Sequence, residues 1–225
     1  MPIGAFWGYK TDGLIQTQEQ LNAVKRADFQ PNAELGDVLF VDTNGDGKLD
    51  SSDRCMIGNP IPDIIYGINM GMAWKGFDLN LQFGGTIGNQ IFNAMRYYTY
   101  FPNDITNKDR ALMNYWTPNN TNTDIPRLTA TDVNDNDRFS DMYVESGTYF
   151  RLRNAQLGYT LPASLTQRIK LQKVRFYVSG QNLFTISSYS GMDPEVGQSS
   201  SLSRGIDYGI YPQNISFTGG INVTF

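Results

Sequence analysis

IIYGINMGMAWKGFDLNLQF, residues 64–83, is built on a period of two. Ile64, Tyr66, Ile68, Met70, Met72 and Trp74 are large and apolar, and the residues between them are mostly small or polar. Past Lys75-Gly76 the alternation resumes, with Phe77, Leu79, Leu81 and Phe83 set against Asp78, Asn80, Gln82 and Gly84. Successive side chains of a strand point to opposite faces, so each half has one oily and one polar face. A two-residue turn at Lys75-Gly76 pairs Trp74 with Phe77, Met72 with Leu79, Met70 with Leu81 and Ile68 with Phe83. All four pairs fall on one face, and a slip of one residue would mix the faces. The stretch predicts a tightly registered antiparallel hairpin.

The same period returns downstream. In NISFTGGINVTF, Ile215, Phe217, Ile221, Val223 and Phe225 alternate with polar or small residues up to the last position. In KVRFYVSGQ, Val174, Phe176 and Val178 alternate with Arg175, Tyr177 and Ser179. TYFRLRNAQLGYTL is less regular: Phe150 and Leu152 share one phase, while Ala155, Leu157, Tyr159 and Leu161 share the other. A phase change near Asn154 predicts a β-bulge, or a strand leaving its sheet. The expected strands are 64–74, 77–86, 148–161, 173–185 and 214–225. Their connections are short at 75–76 and 162–172 and long at 87–147 and 186–213. Loops of that length are uncommon unless they bind something or move.

Composition removes several function classes. The 225 residues include 18 basic and 22 acidic side chains, one cysteine and no histidine. A net charge of −4 gives no basic footprint for nucleic acid. Cys55 has no partner for an internal disulfide. Without histidine, Ser–His–Asp and Cys–His catalysis are excluded. A carboxylate pair for glycoside hydrolysis has little support in the sequence, so no enzyme is expected. Met1-Pro-Ile-Gly has neither the basic start nor the apolar core of a signal peptide.

Alternating strands suit two architectures. In a β-sandwich the oily faces pack on a second sheet. In a transmembrane barrel they face lipid and the polar faces line the lumen. Short turns on one side with long loops on the other are typical of outer-membrane barrels. Trp74, Phe77 and Phe225 sit at strand ends, where an aromatic girdle would lie. Stripes of about ten residues also suit a tilted strand crossing a bilayer. The barrel is the favoured reading. A secreted, calcium-stabilised β-sandwich that binds carbohydrate is the alternative.

DTNGDGKLDSSD, residues 42–53, has the spacing of a calcium loop. Asp42, Asn44 and Asp46 stand at positions 1, 3 and 5, and Gly47 at the sharp turn. Lys48 would offer its carbonyl at 7, Asp50 a carboxylate or water contact at 9, and Asp53 the last ligand at 12. Hard oxygen donors suit Ca²⁺ better than transition metals. The strand-like GDVLFV ahead of the loop and the short Asp53 at its end argue for a structural ion rather than a switch. A run of Asn-Gly and Asp-Gly turns without an ion also fits the glycines, but does not require acids at 1, 5, 9 and 12 together. The acidic stretch DVNDNDRFSD, residues 132–141, reads either as a solvated loop or as a second cation site.

Several of these stretches resemble the C-terminal part of the SusC/RagA family of TonB-dependent outer-membrane transporters. PIGAFWGYKTDGLIQTQEQ resembles the segment ahead of the family's Asp-rich loop. GDVLFVDTNGDGKLDSSDRCMIGNPIPDIIYGINMGMAWKGFDLNLQFGG resembles that loop and the hairpin after it. YWTPNNTNTDIPRL, SGTYFRLRNAQLGYTLP, VRFYVSGQNLFTISSYSGMDPE and the closing Phe225 continue the series in order. The resemblance implies an all-β fold: antiparallel up-and-down strands forming the C-terminal part of a large transmembrane barrel. Residues 1–61 would be an extracellular segment carrying the Asp-rich loop, and 62–225 the barrel strands with their two long loops. Five strands cannot close a barrel, which needs about eight, so the chain is expected to be a piece of a longer protein.

The resemblance further implies import of glycan or peptide nutrients energised through TonB, which would act through a part of the protein missing from this chain. A SusD-like surface lipoprotein would cap the barrel, and outer-membrane lipid would surround it. Phe225 would end in the periplasm. Counting back, the short turns are periplasmic, and both long loops and residues 42–53 are extracellular. Tyr115 and Trp116, with Tyr97, Tyr98 and Tyr100, could then stack on substrate, or pack the loop against itself. Arg151 and Arg153 could face the lumen and attract anionic groups, or pair with loop carboxylates.

Overall fold

The computed structural model describes residues 2–101, 107–196 and 203–225. Within the two long connections, 102–106 and 197–202 lie outside the described residues. The chain divides into two compact units, one formed by Met1–Ile61, Gln90–Ser146 and Val196–Ile210, the other by Pro62–Asn89, Gly147–Glu195 and Tyr211–Phe225.

The second unit is one antiparallel sheet. Its strands are β5 (Ile64–Trp74), β6 (Phe77–Ile87), β9 (Tyr149–Thr160), β10 (Lys173–Ser187) and β12 (Ser216–Thr224). Their spatial order is β12-β10-β9-β6-β5. The hairpin has the register that its alternation demands, with Trp74 opposite Phe77, Met72 opposite Leu79, Met70 opposite Leu81 and Ile68 opposite Phe83. Lys75 and Gly76 both take positive φ, 47° and 89°, as a tight turn matching the strand twist requires.

That register carries across all five strands. Trp74, Phe77, Tyr159, Phe176 and Ile221 form one row, and Met72, Leu79, Leu157, Val178 and Gly219 the next. The opposite face carries Asn80, Gln156, Ser179 and Thr218, then Asn69, Gln82, Asn154, Gln181 and Ser216. The oily face is exposed: Ile68 by 47%, Met70 by 52% and Phe217 by 79%. A sandwich would have covered these side chains with a second sheet, so this face does not fit the sandwich reading. No Asp, Glu, Lys or Arg pairs into its rows.

The irregular strand is bulged at the place where its phase changes. Asn154 faces Gln82 and Leu152 faces Phe83, which leaves Arg153 as the extra residue. On the other side, Asn154 faces Gln181 and Leu152 faces Phe184. The bulge returns Leu152 and Phe150 to the oily face after Ala155, Leu157 and Tyr159.

An ion pair spans the polar face across the central strand. Arg175 on β10 donates from Nε and Nη2 to the two carboxylate oxygens of Asp78 on β6, at 2.9 and 2.5 Å. Gly158 on β9 lies beneath: a Cβ there would stand 2.4 Å from Arg175 Nη2 and 2.5 Å from Asp78 Oδ1.

The first unit is built from short pieces. Strands β1 (Phe6–Gly8) and β4 (Cys55–Gly58) pair, as do β2 (Thr11–Leu14) and β3 (Val38–Phe40). Helix α1 (Gln18–Arg26) follows β2 and opens with a reciprocal cap. Gln20 N donates to Thr17 Oγ1 at 3.2 Å, and Thr17 N donates to Gln20 Oε1 at 3.1 Å. Its Leu21 packs with Ile15 and Ala33. The connection after β6 is partly regular. It holds β7 (Gln90–Asn93), α2 (Ala94–Thr99) and β8 (Val144–Ser146), and β7 also pairs with β11 (Ile206–Asp207) from the later connection. Phe6, Ile57, Phe92, Ala94, Phe101 and Tyr143 form the core between these pieces.

Candidate functional site

Backbone N–H groups organise the Asp-rich loop. Asp42 accepts from Gly45 N at 2.6 Å and from Gly47 N at 2.8 Å. Asn44 accepts from Asp46 N, and Asp46 accepts from Lys48 N at 2.8 Å. Asp50 accepts from Ser52 N at 2.7 Å, and its own N donates to Asp53 at 2.9 Å. Asp53 is fully buried and also accepts from Thr43 N at 3.0 Å. Among the described residues, no three acidic or cysteine side chains come together in a group that could hold a metal ion. In this arrangement the acid oxygens accept from backbone N–H groups of their own loop, which gathers the expected ligand residues along one short segment.

Sequence reasoning missed a buried polar network. Asp37 is fully buried, and its Oδ1 accepts from Arg127 Nε at 2.6 Å and from Asn136 Nδ2 at 3.1 Å. Asn136 Oδ1 in turn accepts from Val38 N at 2.8 Å and from Asn134 Nδ2 at 2.8 Å. Gln30 donates to Val38 O and Asn134 Oδ1 and accepts from Phe40 N. Within DVNDND, Asn134 and Asn136 are therefore buried members of this network, while Val133 and Asp135 stay exposed. The two amides complete the hydrogen bonding of β3, whose N–H groups have few sheet partners. Buried backbone groups need such partners, and Asn and Gln carry both donors and acceptors.

The two aromatic candidates differ in exposure. Trp116 is 6% exposed and packs with Tyr9, Leu14, Phe29, Val38 and Phe40. Core packing has taken the ring faces that stacking on a ligand would need, so Trp116 is corrected to a core residue. Tyr115 is half-buried, as are Tyr97 and Tyr100, while Tyr98 is 54% exposed. Tyr97 packs edge-on to Tyr143, which supports self-packing of the loop.

Arg151 and Arg153 point to loop carboxylates. Arg151 donates to Asp193 at 2.5 Å, to Glu195 at 2.9 Å and to Thr185 Oγ1 at 2.8 Å. Arg153 donates to Glu195 at 3.1 Å and to the Tyr149 hydroxyl at 3.0 Å. Asp193 also accepts from Glu195 N and Gln213 N. Burial pushes its carboxyl up, but these two N–H groups and Arg151 outweigh it and leave the pKa below its ordinary value.

Asp42 and Asp50 in 42–53 respond to pH in the opposite direction to Asp132 in 132–138. The Gly47 N–H is the chief cause that lowers Asp42, and the Ser52 N–H the chief cause that lowers Asp50. A lowered carboxyl stabilises the fold above the ordinary carboxylate range, and that contribution is lost as pH falls through the lowered value. Burial raises Asp132. Its contribution is present at low pH and is lost as pH rises through the raised value. Hydrogen exchange followed from about pH 5 down to about pH 3 is expected to lose protection in 42–53 before 132–138. Simultaneous loss in both stretches would contradict this assignment.

No family model matches the chain. Individual relatives do. TonB-dependent receptor P3 of Formosa agariphila is 39% identical, over 99% of this chain and 22% of its own length. TonB-dependent receptor SusC of Bacteroides thetaiotaomicron is 29% identical, over 88% of this chain and 18% of its own. The solved RagAB peptide transporter superposes with a TM-score of 0.73 at 25% identity, covering 98% of this chain and 22% of that one. The chain thus spans about a fifth of the length of the relatives it matches. These relatives are receptors and transporters rather than enzymes. With sequence and fold in agreement along nearly all of its length, the chain belongs to the SusC/RagA family of TonB-dependent receptors.

Proposed function

We propose that this chain forms barrel wall and extracellular structure of an outer-membrane, TonB-dependent transporter that imports glycan or peptide nutrients. The observation that carries the reading is the uncharged oily face of the five-stranded sheet, exposed on strands of bilayer-spanning length. The opposite face, with Asn80, Gln82, Gln156, Gln181 and the Asp78–Arg175 pair, suits a wet lumen. A SusD-like lipoprotein as cap and TonB as energiser come from the likeness to SusC and RagAB. Peptide as cargo is stated for RagAB alone, and glycan stands beside it as an equal candidate here.

Charge placement tests the face assignment. Met70→Arg at mid-strand is expected to destabilise the membrane-assembled protein by about 2–4 kcal/mol. Asn80→Arg, on the opposite face, should leave it nearly unchanged. The readout is the fraction in outer membranes that migrates as a folded, heat-modifiable band. Equal loss in both variants would sink the lipid-facing assignment.

We further propose that Phe225 and the 162–172 turn are periplasmic and that residues 42–53 are extracellular. In a Cys55→Ser background, Ser51→Cys should react with a membrane-impermeant maleimide on intact cells. Ser164→Cys should react only after the outer membrane is opened. The reverse pattern would invert the topology.

Calcium at Asp42, Asn44, Asp46, Lys48, Asp50 and Asp53 is a separate proposal, supported by spacing. Binding would draw carboxylates from the N–H groups that now hold them, so the loop should change shape as the ion enters. Protease cleavage within 36–59 is expected to slow on adding calcium and to recover with chelator. An unchanged rate would remove the ion from the account.

A further inference from the structure

We propose that Arg151 and Arg153 form a carboxylate-binding site which the chain fills with its own Glu195. Glu195 presents one oxygen to each guanidinium, Oε2 to Arg151 Nη1 at 2.9 Å and Oε1 to Arg153 Nη2 at 3.1 Å. This is the contact that a carboxylate-bearing ligand would make, since guanidinium forks match carboxylate geometry. The site is built on two rigid features. Arg151 is fixed by Thr185 Oγ1 and by the buried Asp193, its side chain only 3% exposed. Arg153 is the extra residue of the β9 bulge, so its direction is set by the backbone. The Tyr149 hydroxyl accepts from Arg153 and keeps its own hydrogen for a second acceptor.

The two carboxylates of the cluster are not equivalent. Asp193 is 6% exposed in its side chain and tied by Arg151, Glu195 N and Gln213 N. It is part of the framework. The Glu195 side chain is 35% exposed and the Arg153 side chain 38%, so solvent reaches the contact between them. The Arg153–Glu195 half of the contact is solvent-reached and contributes little net stability, and Arg151 keeps Asp193 as partner when Glu195 leaves. An incoming carboxylate can therefore replace Glu195 without dismantling the Arg151–Asp193 pair. Glu195 then acts as an internal competitor that weakens binding at the site. The ligand class is an organic carboxylate, either the C-terminus of a peptide or the acid group of a uronic sugar.

This site does not depend on import, so binding is measured without transport, on protein extracted from membranes in detergent. The probes are trialanine, trialanine amide and glucuronate, by titration calorimetry. Glu195→Gln is expected to bind at least one carboxylate probe ten times more tightly than the unaltered protein does, and the amide no better. Which of the two acids gains tells peptide from uronate. Arg153→Gln added to Glu195→Gln should abolish the gain. Both positions are partly exposed, so the variants are expected to fold, and heat-modifiable migration checks it. The proposal fails if Glu195→Gln shows no carboxylate gain, if the amide gains equally, or if the gain survives Arg153→Gln.

Discussion

A single two-residue turn governs the sheet. Positive φ at Lys75 and Gly76 brings Trp74 opposite Phe77, and period two then assigns every later side chain of both strands to a face. The assignment passes to β9 through Phe77–Tyr159 and to β10 through Tyr159–Phe176. It reaches β12 at Phe176–Ile221. One oily row at the hairpin end thus becomes a row five strands wide. A slip anywhere along this series would put Asp78 or Arg175 among the exposed apolar side chains, where a lone charge facing lipid is destabilising, by up to about 1 kcal/mol this near the strand ends.

The β9 bulge shows how such a sheet accommodates charge. Arg151 and Arg153 stand two apart on one strand, and on a regular strand both would share the face of Arg151. The extra residue at Arg153 preserves the oily phase on each side, keeping Leu152 opposite Phe83 and Ala155 opposite Leu81. It also frees Arg153 from strict alternation. The strand gains an aimed guanidinium without breaking its apolar row, and the neighbouring loop supplies Glu195 to meet it.

Legibility in the sequence followed the kind of force involved. The hairpin register and the phase change near Asn154 could be read directly, because both are one-dimensional patterns of burial along a strand. Partners of Arg151 and Arg153 could be guessed as loop carboxylates, though not as Asp193 and Glu195 in particular, since contacts more than forty residues away leave no local period. Helix α1 was overlooked although Thr17 and Gln20 have the spacing of a reciprocal cap. Its nine residues are mostly polar and bury one side chain, so no apolar run marks the helix. The role of DVNDND was opaque for a different reason. Asn and Asp favour turns and solvent by composition, yet here they substitute for a missing strand beside β3. Only the unpaired backbone of another segment makes that role visible. Trp116 could not be decided between the two roles, because an aromatic in a long connection looks the same whether it lies on the surface or anchors the loop's own core.

The two units consequently solve the same problem by different means. Short strands in the first unit cannot satisfy their own backbone, so Gln30, Asn134 and Asn136 supply buried side-chain partners, and apolar residues cluster around them. Long strands in the second unit satisfy their backbone along four ladders, yet bury little between side chains. Ile68, Met70, Phe217 and Ile221 remain exposed, and the outer edges of β5 and β12 have no neighbour among the described residues. Open edges and an uncovered apolar face are destabilising in water and invite association. Lipid against that face removes the hydrophobic penalty, and further strands at both edges remove the unpaired N–H and C=O groups. The sheet is therefore a structure whose stability resides largely in what surrounds it, whereas the first unit carries its own core.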